Sequence, residues 1–302
     1  MTSDCRADGE GRIKMATVSA PDLDAVVKSY QDFFAYAVVE NGTVDADLAA
    51  AWGAPAMAGW RYAVTGPESG TEVYIRVVEN DAVAEYTPLR SFGWAALELT
   101  VTDVEALDAR LRDSPFEIIG PPAFLDFSDK IYPMQAVGLA GEPFYLNEVR
   151  GSLPDYDLPL ARAFVDHIFI TILATPDMQR AVDFYTTNLG WAQGNEYDVP
   201  YSVINQAFGL HEDTPHKLSM TCVGRDVNNE IDQYPAETVV RPRKDGMLVP
   251  GVASVSFITE SLGACRAPFL SPPTTPAGVP YNGRRMACTI GAAGELIELI
   301  EA

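Results

Sequence analysis

The feature that most constrains the fold of this chain is an internal repeat. The segment Gly138–Glu148 aligns with the segment Gly291–Glu301, and six of the eleven aligned pairs are identical. Two further alignments preserve the order along the chain: Ala20–Tyr30 with Thr175–Tyr185, and Gly93–Leu99 with Gly251–Phe257. The three offsets are 153, 155 and 158 residues. Three alignments in one order at nearly one offset indicate a duplicated fold.

The repeat divides the chain into two halves. We expect an N-terminal domain over residues 12–150 and a C-terminal domain over residues 160–302. The segment Arg150–Pro159 between them has two prolines, one glycine and little hydrophobic periodicity, which is typical of a linker. Residues 1–11 are polar and are expected to form an irregular terminus.

Each half is expected to contain two β-α-β-β-β units, which makes an α+β fold of four such units. In the second half, Ile168–Leu173 has the apolar and β-branched composition of a strand. Apolar residues then recur at helical spacing from Met178 to Leu189, and Gly190 follows as a helix stop. The segment Glu295–Ile300 is predicted as the last strand of the half.

Length and charge exclude several classes of partner. The chain has 302 residues, a length typical of two domains, and 42 acidic against 21 basic residues leave a formal net charge of −21. Such a charge repels nucleic acid and anionic lipids, and no apolar run reaches the roughly 18 residues of a membrane span. The N-terminus has no signal-peptide core, and Cys5, Cys222, Cys265 and Cys288 form no close pair. We therefore expect a cytoplasmic protein with neither nucleic acid nor a membrane as its partner.

Four segments of the second half form a recognisable pattern: Asp166–Ile168, Asp177–Tyr185, Asn188–Trp191 and Gly294–Leu299. They resemble the first strand, first helix and last strand of a domain in the vicinal oxygen chelate superfamily. That superfamily includes glyoxalase I, bleomycin-resistance proteins and extradiol ring-cleaving dioxygenases. The resemblance covers nearly the whole chain and implies two glyoxalase-like domains, each a cup that can hold a metal at its mouth. One such scaffold hosts many reactions, so the resemblance does not identify the chemistry.

The resemblance also implies a metal site in the second half. Ligands in the superfamily come from the first, fourth, fifth and eighth strands of a domain, and here those strands offer His167, Glu230 and Glu298 for a divalent metal ion of open identity. Asp232 lies two residues after Glu230 on the same strand face and is the alternative ligand there. His167 and Glu298 are also the predicted catalytic residues, since a carboxylate can move a proton while the metal polarises substrate oxygens.

Three further residues are predicted to contact a small-molecule substrate. Tyr201 lies in an aromatic segment that could form the wall of a pocket, although core packing is the alternative. His216 lies in a polar loop and could swing over the cup, although exposed loop histidines are commoner. Ser254 lies on the fifth strand, where a dioxygenase would have a histidine, so the iron site of two histidines and one carboxylate is incomplete.

The first half departs further from the superfamily pattern. Met15 and Tyr145 take the first-strand and last-strand ligand positions, and neither side chain is a good ligand for a hard cation. We expect this half to be free of metal, as a structural partner or as a pocket in which Trp94, Glu98, Arg76 and Tyr145 contact a ligand. For Glu98 a salt bridge is the preferred interpretation.

Together these features predict a metal-assisted lyase or isomerase. Its substrate is expected to be a small oxygenated metabolite, aromatic in one alternative, bound in the C-terminal domain. An extradiol-type dioxygenase and a metal-free small-molecule binding protein are the main alternatives, and acid–base catalysis by His167 or Tyr145 without metal is a third. The oligomeric state stays open, with a homo-oligomer as one alternative.

Overall fold

The computed structural model describes residues 9–125 and 128–302. In these ranges the chain forms fifteen strands and five α-helices. The strands are β1 (Ile13–Ala20), β2 (Ala37–Thr43), β3 (Arg61–Gly66), β4 (Tyr74–Glu79), β5 (Gly93–Val101), β6 (Glu117–Gly120), β7 (Ile131–Val137), β8 (Pro143–Val149), β9 (Val165–Thr175), β10 (Ala192–Pro200), β11 (Pro215–Val223), β12 (Asp226–Gln233), β13 (Gly251–Thr259), β14 (Met286–Ile290) and β15 (Leu296–Glu301). The helices are α1 (Leu23–Ser29), α2 (Ala46–Ala51), α3 (Val104–Leu111), α4 (Met178–Asn188) and α5 (Ser202–Phe208).

These elements fall into four units that repeat the order strand, helix, strands. Unit 1 spans residues 13–79, unit 2 residues 93–149, unit 3 residues 165–233 and unit 4 residues 251–301. In unit 4 the helix is only a 3-10 turn over Leu262–Ala264, and its second strand is reduced to a bridge between Thr274 and Met286. The predicted α+β fold of four units is confirmed, with the last unit shortened.

Each of the two sheets takes one unit from each half of the chain. The first sheet has the strand order β14-β15-β13-β1-β4-β3-β2 and joins units 1 and 4, whereas the second has the order β10-β11-β12-β9-β5-β8-β7-β6 and joins units 2 and 3. The connection between β8 and β9, residues 150–164, is long enough to bring β9 alongside β5. The sheets are thus formed across the predicted halves and not within them. The predicted boundary falls in this connection, and the independence of either half as a domain stays a prediction.

Helices α1, α3 and α4 cover one face of the sheets. Each begins at an aspartate, and the side chain of Asp22, Asp103 or Asp177 accepts a hydrogen bond from a backbone amide of the first turn. The apolar sides of these helices share one core with strand residues such as Leu97 and Leu99. Because alternate strand residues point to opposite faces, the residues between them point away from the helices. We call this second face of each sheet its cup.

The remaining general features agree with the sequence predictions as far as the described residues go. No helix in the described ranges is long and apolar enough to cross a membrane. Cys222, Cys265 and Cys288 are free thiols. Cys5 and the first eight residues of the predicted irregular terminus lie outside the described residues.

Candidate active site

One position recurs in all four units, five residues before the residue that caps the helix or 3-10 turn of the unit. It is occupied by Thr17, Glu98, Ile172 and Ser256. Each of these residues is paired in register with a residue on the last strand of its own unit, namely Arg76, Tyr145, Glu230 and Glu298, respectively. These eight residues are the cup positions, four in each cup. The side chains at these positions decide the chemistry of each cup.

The cup of units 1 and 4 is built around a guanidinium group, and we call it the arginine cup. Nη2 of Arg76 donates to Oε1 of Glu298 and to Oγ1 of Thr17, both at 2.7 Å. Nη1 of Arg76 donates to the hydroxyl of Tyr281 at 2.7 Å. The Arg76 guanidinium also lies over the ring of Trp52, 4.6 Å from its centroid, in a cation–π contact.

The Glu298 carboxylate is fully buried and has a complete set of donors. Besides Arg76, it accepts hydrogen bonds from Trp52 at 2.7 Å, from Tyr281 and Ser256 at 2.8 Å and from Ser254 at 3.2 Å. Burial alone would raise the pKa of Glu298, but the Arg76 charge and these donors outweigh it and hold the pKa below its usual value. The rest of the cup is filled by apolar side chains such as Met57. The arginine cup is therefore a packed, internally neutralised core.

The cup of units 2 and 3 contains three carboxyl groups, of which two are buried and one, that of Glu98, is half-buried, and we call it the acidic cup. Glu98 and Glu230 occupy cup positions, and Asp232 lies two residues after Glu230 on the same face of β12. Glu98 accepts a hydrogen bond from the Asn147 amide at 3.0 Å, and Glu230 accepts one from the Tyr201 hydroxyl at 3.0 Å. In the described part of the chain, no lysine, arginine or histidine forms a salt bridge with any of the three acids.

Several polar atoms of the acidic cup have no hydrogen-bond partner. Both carboxyl oxygens of Asp232 and the hydroxyls of Tyr145 and Tyr234 are buried and unpaired among the described residues. Burial raises the pKa of Glu98, Glu230 and Asp232, and the neighbouring charge of Glu230 raises the pKa of Glu98 and Asp232 further. The acidic cup therefore retains protons at pH values at which exposed carboxyl groups are ionised.

Helix α5 covers the acidic cup. Val203 and Ile204 of α5 pack in one apolar cluster with the cup residue Tyr145. The Asn205 side chain lies 2.7 Å from Nε2 of His216 on β11, which attaches the helix to that strand. Helix α5 therefore restricts access to the buried Glu230 and Asp232, whereas Glu98 is partly exposed.

The predicted metal ligands His167, Glu230 and Glu298 do not come together. Glu298 lies in the arginine cup and Glu230 in the acidic cup, because β15 and β12 belong to different sheets. His167 lies five residues before the cup position Ile172, and its Nδ1 is 3.1 Å from Asp166 Oδ1, which also accepts a hydrogen bond from Ser69. His167 therefore belongs to a contact between unit 3 and the loop after β3. Of the predicted catalytic pair, His167 and Glu298, neither lies in the acidic cup.

The predicted substrate contacts are also divided. Tyr201 touches Glu230 and His216 holds α5, so both belong to the acidic cup. Ser254 donates to Glu298 and belongs to the arginine cup. The salt bridge expected for Glu98 is absent among the described residues, and its hydrogen-bond partner is Asn147. A signal for Glu98 was present in the sequence, because it precedes Asp103 by the spacing that separates Ile172 from Asp177.

The predicted divalent metal ion does not fit the side chains as they stand. No three His, Cys, Asp or Glu side chains of the described residues are arranged so that they could hold a metal ion. The buried acids of the acidic cup supply oxygen donors, but not in a coordinating arrangement. We therefore derive the chemistry of the cup from its own acids and hydroxyls.

Comparison with known proteins gives a family match over part of the chain. Residues 165–276 match the family model described as Glyoxalase/Bleomycin resistance protein/Dioxygenase superfamily. This part of the chain belongs to that superfamily. The matched region contains unit 3 and the beginning of unit 4, and the superfamily predicted from the sequence is confirmed. No curated protein matches the chain.

Solved structures are similar to almost the whole chain. Glyoxalase I from Zea mays aligns with 17% identity and a TM-score of 0.64, over 96% of this chain and 92% of that chain. A candidate dioxygenase from Bacillus subtilis aligns with 10% identity and a TM-score of 0.64, over 97% of this chain and 86% of that chain. At such identities the similarity shows the fold alone, and the glyoxalase-like fold is confirmed.

Proposed function

We propose that the acidic cup is the active site of a lyase or isomerase that moves a proton on a small oxygenated molecule. The observation that carries the proposal is a set of three acids, the buried Glu230 and Asp232 and the half-buried Glu98, without a described basic partner. Burying an unpaired carboxylate is costly, so acids that are kept together in this way are candidates for reactive groups. The arginine cup supports this interpretation, because its own buried acid is fully neutralised.

The environments of the acids suggest a division of roles. Burial raises the pKa of all three, and the hydrogen bond from the Tyr201 hydroxyl favours the ionised form of Glu230. With an α-hydroxy carbonyl substrate, Glu230 acts as the base that removes the proton from the hydroxyl-bearing carbon, and Asp232 protonates the carbonyl oxygen to form an enediol. Glu230 then returns its proton to the former carbonyl carbon while Asp232 takes the proton of the original hydroxyl, which completes the isomerisation and restores both acids. The unpaired hydroxyls of Tyr145 and Tyr234 can donate hydrogen bonds to the substrate oxygens.

The two alternative functions differ in how well the residues of the acidic cup support them. An extradiol-type dioxygenase needs two histidines and a carboxylate on iron, and the cup positions Glu98, Tyr145, Ile172 and Glu230 contain no histidine. A metal-free binding protein is the second candidate, because the cover formed by α5 would equally well sequester a ligand without changing it.

Exchange of substrate hydrogen with solvent tests the proposal. The protein is incubated in deuterium oxide with small α-hydroxy ketones and aldehydes, and deuterium incorporation is followed by NMR. We expect Glu230→Gln to slow exchange on the order of a hundredfold, because it removes the base. The exposed Glu117 on β6 of the same sheet makes no described side-chain contact, so Glu117→Gln should exchange at the wild-type rate. Equal rates in Glu230→Gln and wild type would refute the catalytic role and favour the binding protein.

A further inference from the structure

The arginine cup contains a cation-binding site whose ligand is a side chain of the same protein. The Arg76 guanidinium is held by one carboxylate, Glu298, by the hydroxyls of Thr17 and Tyr281, and by the ring of Trp52. This is the set of acceptors by which proteins recognise guanidinium and ammonium groups: an acid, hydroxyl oxygens and an aromatic face. The arginine cup thus shows that a cup of this geometry can accommodate a guanidinium group.

The acidic cup presents the same kinds of group without the cation. Carboxyl groups stand at two of its four cup positions, Glu98 and Glu230, and the rings of Tyr145 and Tyr201 lie edge to face, 6.3 Å apart. The nearby Arg241 does not fill the role, because its guanidinium donates to Ser91 and to backbone carbonyls of Trp94 and Val252.

The unpaired atoms of the acidic cup define what its ligand must supply. The two oxygens of Asp232 can only accept hydrogen bonds when ionised, and both are buried without a donor. The hydroxyls of Tyr145 and Tyr234 can accept as the Tyr281 hydroxyl does from Arg76. A group with several N–H donors and a positive charge satisfies all of these atoms, whereas an anion would be repelled by the acids.

We infer that the ligand of the acidic cup is an organic cation, whose guanidinium or ammonium group is bound by Glu98, Glu230 and Asp232 as Arg76 is bound in the arginine cup. This inference rests on the proposed function, since it names the substrate class of the same cup. The Tyr201 hydroxyl bond to Glu230 ties the α5 segment to the cup, so the cation enters when this segment moves. Binding releases a proton from the cup, because the cation favours the ionised form of Glu98, whereas Asp232 keeps the proton that it donates in the proposed reaction.

Calorimetry on the full chain tests the inference with two probe molecules of similar shape. Methylguanidinium carries the charge, and N-methylurea is its neutral counterpart. At constant ionic strength we expect saturable binding of methylguanidinium, with proton release that shows in buffers of different ionisation enthalpy, and no binding of N-methylurea. Glu98→Gln and Glu230→Gln should each weaken binding about tenfold or more, since each removes a charged acceptor. Glu117→Gln should bind like wild type, and circular dichroism checks that every variant is folded.

Three outcomes would overturn the inference. Equal affinity for the two probes would mean that charge is not recognised, and unchanged affinity in Glu98→Gln and Glu230→Gln would place the cation elsewhere. Saturable binding of magnesium, manganese or zinc ions that methylguanidinium does not displace would assign the cup to a metal. A failure of the organic-cation inference can be distinguished from a failure of the proposed function. Normal methylguanidinium binding with unaltered deuterium exchange in Glu230→Gln would refute only the function, and the reverse pattern would refute only the organic cation.

Discussion

The two cups of this protein have equivalent positions but balance buried charge in opposite ways. In the arginine cup, Arg76 and Glu298 meet at 2.7 Å, and the carboxylate stays ionised despite complete burial. In the acidic cup, Glu98, Glu230 and Asp232 lie together with no described cation, and burial raises the pKa of each. A buried ion pair keeps both of its groups charged, whereas unpaired buried acids keep their protons. The difference indicates that one cup is a structural core and the other is prepared for a ligand.

A second pair of sites shows what the two halves have in common. The Tyr30 hydroxyl donates to Glu142 at 2.6 Å, and the Tyr185 hydroxyl donates to Glu295 at 2.8 Å. Each glutamate also accepts a hydrogen bond from the backbone amide two residues before it, in equivalent turns of the repeat. Each contact joins a unit of one sheet to a unit of the other, so these pairs hold the sheets together in both halves. The two halves of the chain therefore contribute different residues to the cups but make the same inter-sheet contact.

The largest expected effect comes from removing the internal cation of the arginine cup. Arg76→Met leaves Glu298 buried without a counter-charge and should lower the free energy of unfolding by about 3–5 kcal/mol at neutral pH. Urea denaturation measures this loss. The double variant Arg76→Met with Glu298→Gln should recover much of it, because no charge then remains buried. A loss that the second substitution does not reduce would contradict the role of Arg76 as the internal cation.

The next effect concerns the matched glutamates and the pH dependence of stability. Burial raises the pKa of Glu142 and of Glu295 from 4.5 to about 7, with hydrogen bonds from Tyr30, Tyr185 and nearby backbone amides opposing the rise. Because the pKa in the folded state is higher than in the unfolded state, their stabilising contribution is complete below pH 4.5 and is lost as the pH rises to about 7. The loss is of the order of 3 kcal/mol for each group.

Glu142→Gln and Glu295→Gln should therefore flatten the stability profile over this pH range by similar amounts. The measurement is urea denaturation at intervals between about pH 5 and pH 8, the range in which these groups titrate. Glu117→Gln, on the surface, should leave the slope unchanged. An unchanged slope in both variants, or a change in only one, would refute the equivalence of the two inter-sheet contacts.

The smallest expected change in the free energy of unfolding has the opposite sign to the change caused by Arg76→Met. Glu98→Gln and Glu230→Gln replace acids whose pKa is raised by burial, so each should leave stability unchanged or increase it by about 1 kcal/mol at pH above neutrality. The stabilising contribution of each acid to folding is lost as the pH rises from the usual carboxyl pKa toward the raised pKa. The glutamine side chains of the variants do not titrate, so they do not lose stability in this way. Denaturation at mildly alkaline pH measures the gain. A loss of several kcal/mol would show that the acids are structural, as Glu298 is.

Local signals in the sequence were sufficient for the units but not for the site. The repeat located the matched turns of Glu142 and Glu295, and the aspartates that begin α1, α3 and α4 locate the first-strand cup positions of units 1 to 3 by counting back five residues. This spacing would have replaced His167 by Ile172 as the first-strand residue. Tyr145 and Glu230 were assigned correctly to the last strands of their units, because both are in register with first-strand cup positions.

The sequence by itself determined four similar units, their order and the last-strand residues Tyr145, Glu230 and Glu298 that face the cups. Only the tertiary structure decided which units share a sheet. The first strands β1, β5, β9 and β13 are all largely buried and apolar, so their patterns do not distinguish one partner from another. The pairing of β1 with β13 brings Arg76 to Glu298, 222 residues away, and leaves the acids of units 2 and 3 together. Non-local strand pairing, which no local pattern encodes, is the physical reason that one cup contains its own cation and the other does not.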